Sequence, residues 1–247
     1  MKNLTAKIVT ATVLGAISCF TAGCSVASDA QDTGWVTYAE PNSFKNLYPP
    51  SGGYYPNGGV LNNITDRLLW QDPDTLELHP WIATDLPEVN ADSTEFTFHL
   101  RDDVTYSDGS KLDARNVAKN YDLFARGDEE RMLTPSEQLP GYERSEVVDD
   151  YTVKFYFSQP SPGFPQSTSA MNQGLLSNAA LDMDDSGFAP GNAEKVIGSG
   201  PFFIADEKLG TELTLKRRDD YNWGPPDADH HGPADIEGVE FVLAEED

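Results

Sequence analysis

The sequence predicts a mixed α/β domain, on three observations. Residues 94–101 alternate, with Phe96, Phe98 and Leu100 on one side and Thr97 and His99 on the other, as a half-buried strand does. Residues 151–157 repeat that pattern with Tyr151, Val153, Phe155 and Phe157 on one side. Between them, Ala114, Val117, Ala118, Tyr121 and Phe124 recur at helical spacing. A chain of 247 residues with 38% apolar and 11% aromatic side chains also has the material for a substantial core.

In chain order, the first segment reads as an address. Lys2 and Lys7 precede an apolar run at residues 8–20, which is too short to span a bilayer comfortably but suits a secretory signal. The run ends in Thr21-Ala22-Gly23-Cys24, which resembles a bacterial lipobox with Thr21 where Leu is usual. On that reading residues 1–23 are a signal peptide and Cys24 is lipidated. The small, polar stretch to residue 34 is then a flexible tether. The alternative is an ordinary cleaved signal with an incidental Cys. The chain has two cysteines, Cys19 and Cys24, so residues 25–247 hold no thiol and have neither a disulfide nor a thiol nucleophile.

The body, residues 35–247, opens with a β-type run, Trp35-Val36-Thr37-Tyr38-Ala39, closed by Pro41. Residues 46–59 are rich in Pro, Gly, Tyr and Asn and read as a loop. Leu61, Ile64, Leu68 and Leu69 then predict a helix that Asp72-Pro73 ends. Asp108-Gly109 predicts a turn. The best helix is Ala114–Arg126, with Asp113 as N-cap, Leu112 and Val117 as a staple, and Gly127 at the C-terminal left-handed position. Residues 146–148 and 151–157 predict a hairpin around Asp149-Asp150. Further strands are expected at residues 202–205, 212–216 and 239–243.

The charge narrows the function. Seventeen basic against 41 acidic residues give a net charge of −24. That argues against a nucleic-acid binder, which needs a basic surface, and disfavours a protein held by anionic lipid headgroups. The acidity itself reads as solvation.

Four motifs carry a resemblance. The first is Phe96-Thr97-Phe98-His99-Leu100-Arg101-Asp102-Asp103-Val104-Thr105-Tyr106-Ser107-Asp108-Gly109, and Lys111-Leu112-Asp113-Ala114-Arg115-Asn116-Val117 continues it. Gly198-Ser199-Gly200-Pro201-Phe202 and Leu215-Lys216-Arg217-Arg218-Asp219-Asp220-Tyr221-Asn222-Trp223 follow. In this order the set resembles the extracytoplasmic solute-binding proteins of peptide and nickel ABC importers, solute-binding family 5. The motif residues themselves read as scaffold: turn chemistry at Arg101 and Asp108-Gly109, close backbone approach or positive φ at Gly198 and Gly200, and aromatic packing at Tyr221 and Trp223.

The resemblance implies a periplasmic-binding-protein type II-like lobe with an inserted α+β subdomain. It implies a clamshell that closes on a peptide or other small solute and delivers it to ABC permease subunits from the outer face of the bacterial membrane or the periplasm. It implies no cofactor and no catalysis. Members of the family are about twice as long, so the second lobe is expected to be missing and residues 35–247 to be the N-terminal part of the family's domain. A lone lobe is expected to expose apolar surface where its partner would sit. The loop after the first strand lines the cleft in the family, which assigns ligand contacts to Tyr54, Tyr55 and Asn57. A second cleft-facing segment assigns them to Met171, Asn172 and Gln173. The alternative function is a truncated surface lipoprotein that binds a protein partner without transport.

Enzyme readings are weaker. Asp182, Asp184, Ser186 and Gly187 start like a calcium loop, but Glu194 falls one residue late for its closing ligand. Asp229, His230, His231 and Asp235 have zinc- or nickel-binding side chains in a Pro-containing stretch that reads as a polar loop. His79 and His99 read as structural or exposed. No G-x-S-x-G, H-E-x-x-H or P-loop motif occurs.

Overall fold

A computed structural model describes residues 34–225 and 231–244. The signal, Cys24 and most of the tether lie outside the described residues, as do Asp229 and His230. In chain order the elements are β1 (Trp35–Glu40), α1 (Tyr55–Ile64), β2 (Leu69–Gln71), β3 (Leu78–Pro80), β4 (Glu88–Val89), β5 (Glu95–His99) and α2 (Ala114–Arg126). They continue with β6 (Tyr142–Asp149), β7 (Thr152–Phe157), α3 (Phe164–Ser167), α4 (Asn178–Leu181), β8 (Phe202–Lys208), β9 (Glu212–Arg217) and β10 (Gly238–Leu243). Short 3-10 turns at Pro49–Ser51 and Met171–Gln173 flank the candidate site.

Two four-stranded sheets organise the chain. The first has order β1-β10-β9-β8, with β1 parallel to β10 and the other pairs antiparallel. Its strands come from the two ends of the described chain, so everything between β1 and β8 is an excursion from that sheet. The excursion carries the second sheet, β4-β5-β7-β6, all antiparallel, with α2 packed against β6 and β7. This is the expected lobe with an inserted α+β subdomain.

The subdomain core follows from the alternation. Phe96 and Phe98 of β5 and Val153, Phe155 and Phe157 of β7 point to one side and are buried. Tyr121 and Phe124 of α2 and Phe164 of α3 meet them. The rings pack mostly edge-to-face or tilted, with Tyr121 and Phe155 centroids 4.8 Å apart and Phe157 and Phe164 4.7 Å apart. Helix α2 starts where expected, because the Asp113 carboxylate accepts the Asn116 N–H at 2.8 Å. It stops at Gly127, whose φ is +64°, where a Cβ would lie 2.4 Å from the Leu133 carbonyl oxygen. Its buried face also holds two amides. Asn116 and Asn120 both donate to the Leu176 carbonyl, and Asn120 accepts the Leu176 N–H at 2.9 Å.

The first helix corrects the sequence reading. Residues 55–59 are helical rather than loop, and Leu68 and Leu69 lie beyond the helix, Leu69 in a strand. Pro56 suits the first turn, where no N–H partner is needed. At the other end the chain turns away early. Thr65 is extended, its hydroxyl bonds the Leu61 carbonyl at 2.7 Å, and the Ile64 carbonyl accepts the N–H of Gly200 at 2.9 Å rather than that of another helical residue. The approach demands glycine: a Cβ at Gly198 would lie 1.9 Å from the Ile64 oxygen, and one at Gly200 2.5 Å from its carbonyl carbon. Close approach, rather than a positive φ, is thus what the glycine motif provides.

Directly after this turn sits Asp66, fully buried. Its carboxylate accepts from the Trp223 indole at 2.8 Å and the Tyr221 hydroxyl at 3.1 Å. Its N–H reaches the Ser199 hydroxyl at 3.4 Å, and its carbonyl accepts the Leu175 N–H at 2.9 Å. Arg218, also buried, donates to the carbonyls of Thr105 and Ser199, pairs with Asp220 at 2.7 Å and lies 5.1 Å from the Trp223 ring. Residues of three of the four motifs therefore meet around Asp66, and all serve the scaffold.

Burial raises the Asp66 pKa from 3.8 to about 6, although the Trp223 and Tyr221 donors pull it down. Between about pH 4 and 6 the unfolded carboxyl has lost a proton that the folded one keeps. Its stabilising contribution is therefore whole below pH 4 and lost as pH rises through 6, about 3 kcal/mol in all at about 1.4 kcal/mol per unit. In urea unfolding, the stability advantage of the wild type over Asp66→Asn should shrink by about that amount between pH 4 and 7.

Candidate functional site

Strand β1 delivers the chain to a loop that its own side chains close. The Asn57 carbonyl accepts the N–H groups of Lys45 and Asn46 at 2.8 and 3.3 Å, and its amide donates to the Ser51 carbonyl at 3.1 Å. The Asn46 side chain accepts the Tyr48 N–H at 2.7 Å. Asn57 is buried at 2% exposure, so the amide assigned to a ligand instead binds the loop together. Tyr54 is half-buried with the Lys45 ammonium 4.7 Å from its ring centre. Tyr55 stands at 60% exposure, its hydroxyl bonded to that of Tyr38.

The second predicted segment packs on the first. A Cβ at Gly58 would lie 2.5 Å from the Met171 sulfur and 2.7 Å from the Gly52 carbonyl oxygen. One at Gly52 would lie 3.5 Å from the Asn172 Cα. The glycines of the loop and α1 thus let the 3-10 turns at Pro49–Ser51 and Met171–Gln173 touch. Met171 remains 41% exposed. Gln173 is fully buried and donates to the Ser136 hydroxyl at 2.9 Å, so it too faces inward. The side-chain oxygen of Asn172 is buried with no partner among the described residues.

Of the six predicted residues, then, Tyr55 and Met171 are presented to solvent, Tyr54 and Asn172 are half-covered, and Asn57 and Gln173 hold the frame. Two further features mark the surface. A groove of about 510 Å³ with an amide and hydroxyl rim, including Gln138, Gln159 and Ser169, runs over Phe157 and Phe164 up to Ala170, next to Met171. An apolar strip of exposed side chains, Val36 and Tyr38 of β1, Tyr55 of α1 and Leu243 of β10, lies on the side of Tyr55.

Among the described residues, the metal-type side chains do not gather. Asp182 pairs with Lys119 at 2.6 Å, Asp184 caps a 3-10 turn through the Gly187 N–H, and Asp185 accepts from Asn46. Among the described residues, no three His, Cys, Asp or Glu side chains are placed to hold one ion. His99 bonds the Thr152 hydroxyl at 3.2 Å. Sequence reasoning missed Asp66 and the buried Glu40, because a single carboxylate in an acidic chain carries no local sign of burial.

The frame and the surface should separate under mutation. Asn57→Ala strands two loop N–H groups and should cost about 2–3 kcal/mol in urea unfolding. Tyr55→Ala should stay within about 0.5 kcal/mol of wild type.

Known proteins resemble this chain over most of its length. A family model for bacterial extracellular solute-binding proteins, family 5 Middle, matches residues 77–247. Protein XP55 of Streptomyces lividans is 30% identical over 186 residues, which is 75% of this chain and 32% of that protein. The probable D,D-dipeptide-binding periplasmic protein DdpA of Escherichia coli K12 is 30% identical over 155 residues, 59% of this chain and 27% of that one. The crystal structure of NikA from Brucella suis in complex with Fe(III)-EDTA superposes with a TM-score of 0.65 at 25% identity, covering 85% of this chain and 39% of that one. The chain thus spans about a third of the length of these curated relatives.

Proposed function

The chain belongs to the bacterial extracellular solute-binding proteins of family 5, and from that membership we propose that it forms one wall of the cleft in the substrate-binding component of an ABC importer, with a peptide as solute. The observation that carries this is the meeting of residues 51–58 with residues 169–173. Two segments more than a hundred residues apart meet through glycine contacts, while the inward amide of Asn57 closes its own loop and that of Gln173 reaches Ser136. What they leave outward is an aromatic ring, an adaptable thioether and a neighbouring groove with amide and hydroxyl groups. That combination suits a peptide, whose backbone takes hydrogen bonds and whose side chains take apolar walls. The D,D-dipeptide specificity in the name of one relative favours the same solute class.

In this reading Tyr54, Tyr55, Met171 and Asn172 contact the peptide. Closure against an opposing lobe covers the strip formed by Val36, Tyr38, Tyr55 and Leu243, removing both from water. The solute then passes to permease subunits. The lobe binds and releases its solute unchanged, without a cofactor. Cys24 carries the lipid that keeps the protein at the outer face of the membrane.

Two experiments test the proposal. A dipeptide bearing a diazirine, photolysed with the protein and mapped by mass spectrometry, should label residues 54–55 and 171–172. Tyr55→Ala with Met171→Ala should lower that labelling about tenfold, an estimate from about 1.4 kcal/mol of lost contact. Labelling spread evenly over the chain, or unchanged in the double variant, overturns the assignment. On fractionation of expressing bacteria, Cys24→Ala should move the protein from the membrane to the soluble exported fraction. A wild type already soluble removes the anchor.

A further inference from the structure

Glu40 is the last residue of β1, only 5% exposed, and neither of its carboxylate oxygens has a partner among the described residues. It lines a small cavity between the start of α1 and strands β9 and β10. Phe44, Pro56, Val60, Leu213 and Phe241 make most of the exposed wall, and Asn42, Ser43 and Thr211 add polar side chains to it. A Cβ at Gly59 would lie 3.5 Å from the Glu40 Oε1, so the helix side is bare backbone. The cavity holds about 30 Å³, room for one water-sized group.

Two further carboxylates line the same cavity, and both are engaged. Glu207 accepts the N–H groups of Gly191 and Ala193 at 2.7 and 3.0 Å, and Glu212 pairs with Lys208 at 2.8 Å. Glu40 alone is uncompensated. A buried charge is costly without a partner, and the negative field of its neighbours makes the missing partner a cation.

The geometry points to a binding site for the head group of a primary alkylammonium ion, with Glu40 as its anion and the alkyl stem leaving through the open side of the cavity past its apolar rim. A hard metal ion fits poorly, because calcium takes six to eight oxygen ligands and magnesium six, whereas here a single carboxylate is free and the cavity has room for one water-sized group. An ammonium group matches both the volume and the single anion, and its three N–H donors suit two unpartnered oxygens. Burial raises the Glu40 pKa, as expected of a carboxylate still without its counter-charge. The site uses only residues of this chain and stands whether or not the importer reading holds.

Thermal unfolding of the protein in ethylammonium chloride, against tetramethylammonium chloride at equal ionic strength, tests it. Tetramethylammonium has the same charge but no N–H and exceeds the cavity. At about 0.3 M, ethylammonium should raise Tm by about 3–6 °C over the control. Glu40→Gln should abolish that difference while its own Tm, without ethylammonium, is at or above that of the wild type. An equal response to both salts, or one retained in Glu40→Gln, overturns the site. So does no response at all, which would mean an ordered water only. If Glu40→Gln does not fold, saturation transfer from the Val60 and Leu213 methyl groups to the ethyl protons decides. Its absence overturns the proposal.

Discussion

The carboxylate of Asp66 joins segments that lie more than 150 residues apart. It receives the Tyr221 hydroxyl and the Trp223 indole, while its main chain meets Ser199 and Leu175. A lone buried carboxylate is costly, and here the Trp223 and Tyr221 donors offset part of that cost. Such an arrangement contributes specificity more than net stability: few other packings of this chain would satisfy the same oxygens. The turn at Gly198-Ser199-Gly200 fits against the end of α1 only because no Cβ intervenes, and Arg218 ties the same turn to Thr105.

The candidate surface hangs from this point. Leu175 bonds the Asp66 carbonyl, and a Cβ at Gly174 would lie 2.2 Å from the Thr65 hydroxyl oxygen, so the main chain leading back to Met171 is pinned to the exit of α1. From the other end of α1, Gly58 and the loop held by Asn57 come up beneath Met171. One short helix thus carries the latch at its C-terminal end and the proposed ligand contact at its N-terminal end. Tyr55 and Met171 stand on a rigid base while remaining exposed, which is the requirement for a side chain that must meet a solute without reordering.

Electrostatics act at longer range. Most described ion pairs join exposed side chains, such as Arg115 with Asp150, and contribute little to stability. A net charge of −24 instead sets a negative field around the whole protein. That field favours cationic solutes and repels polyanions, and Glu40 gives it a local, desolvated focus.

The sequence by itself determined whatever depends on neighbours a few residues apart. Alternation placed β5 and β7, the Asp113 cap and Gly127 bounded α2 to the residue, and the ordered motifs indicated the family and its inserted subdomain. It also indicated both segments of the candidate surface. Only the tertiary structure decided how they are used. Asn57 carries the same amide whether it faces a ligand or the N–H groups of Lys45 and Asn46, and that choice is made by a loop closing in space. The helix at Leu61 slid toward Tyr55 because Gly200, far along the chain, takes the carbonyl of Ile64. Asp66 and Glu40 read alike in an acidic sequence. One carboxylate is met by donors and the other has none, because burial and pairing are properties of residues brought together by the fold.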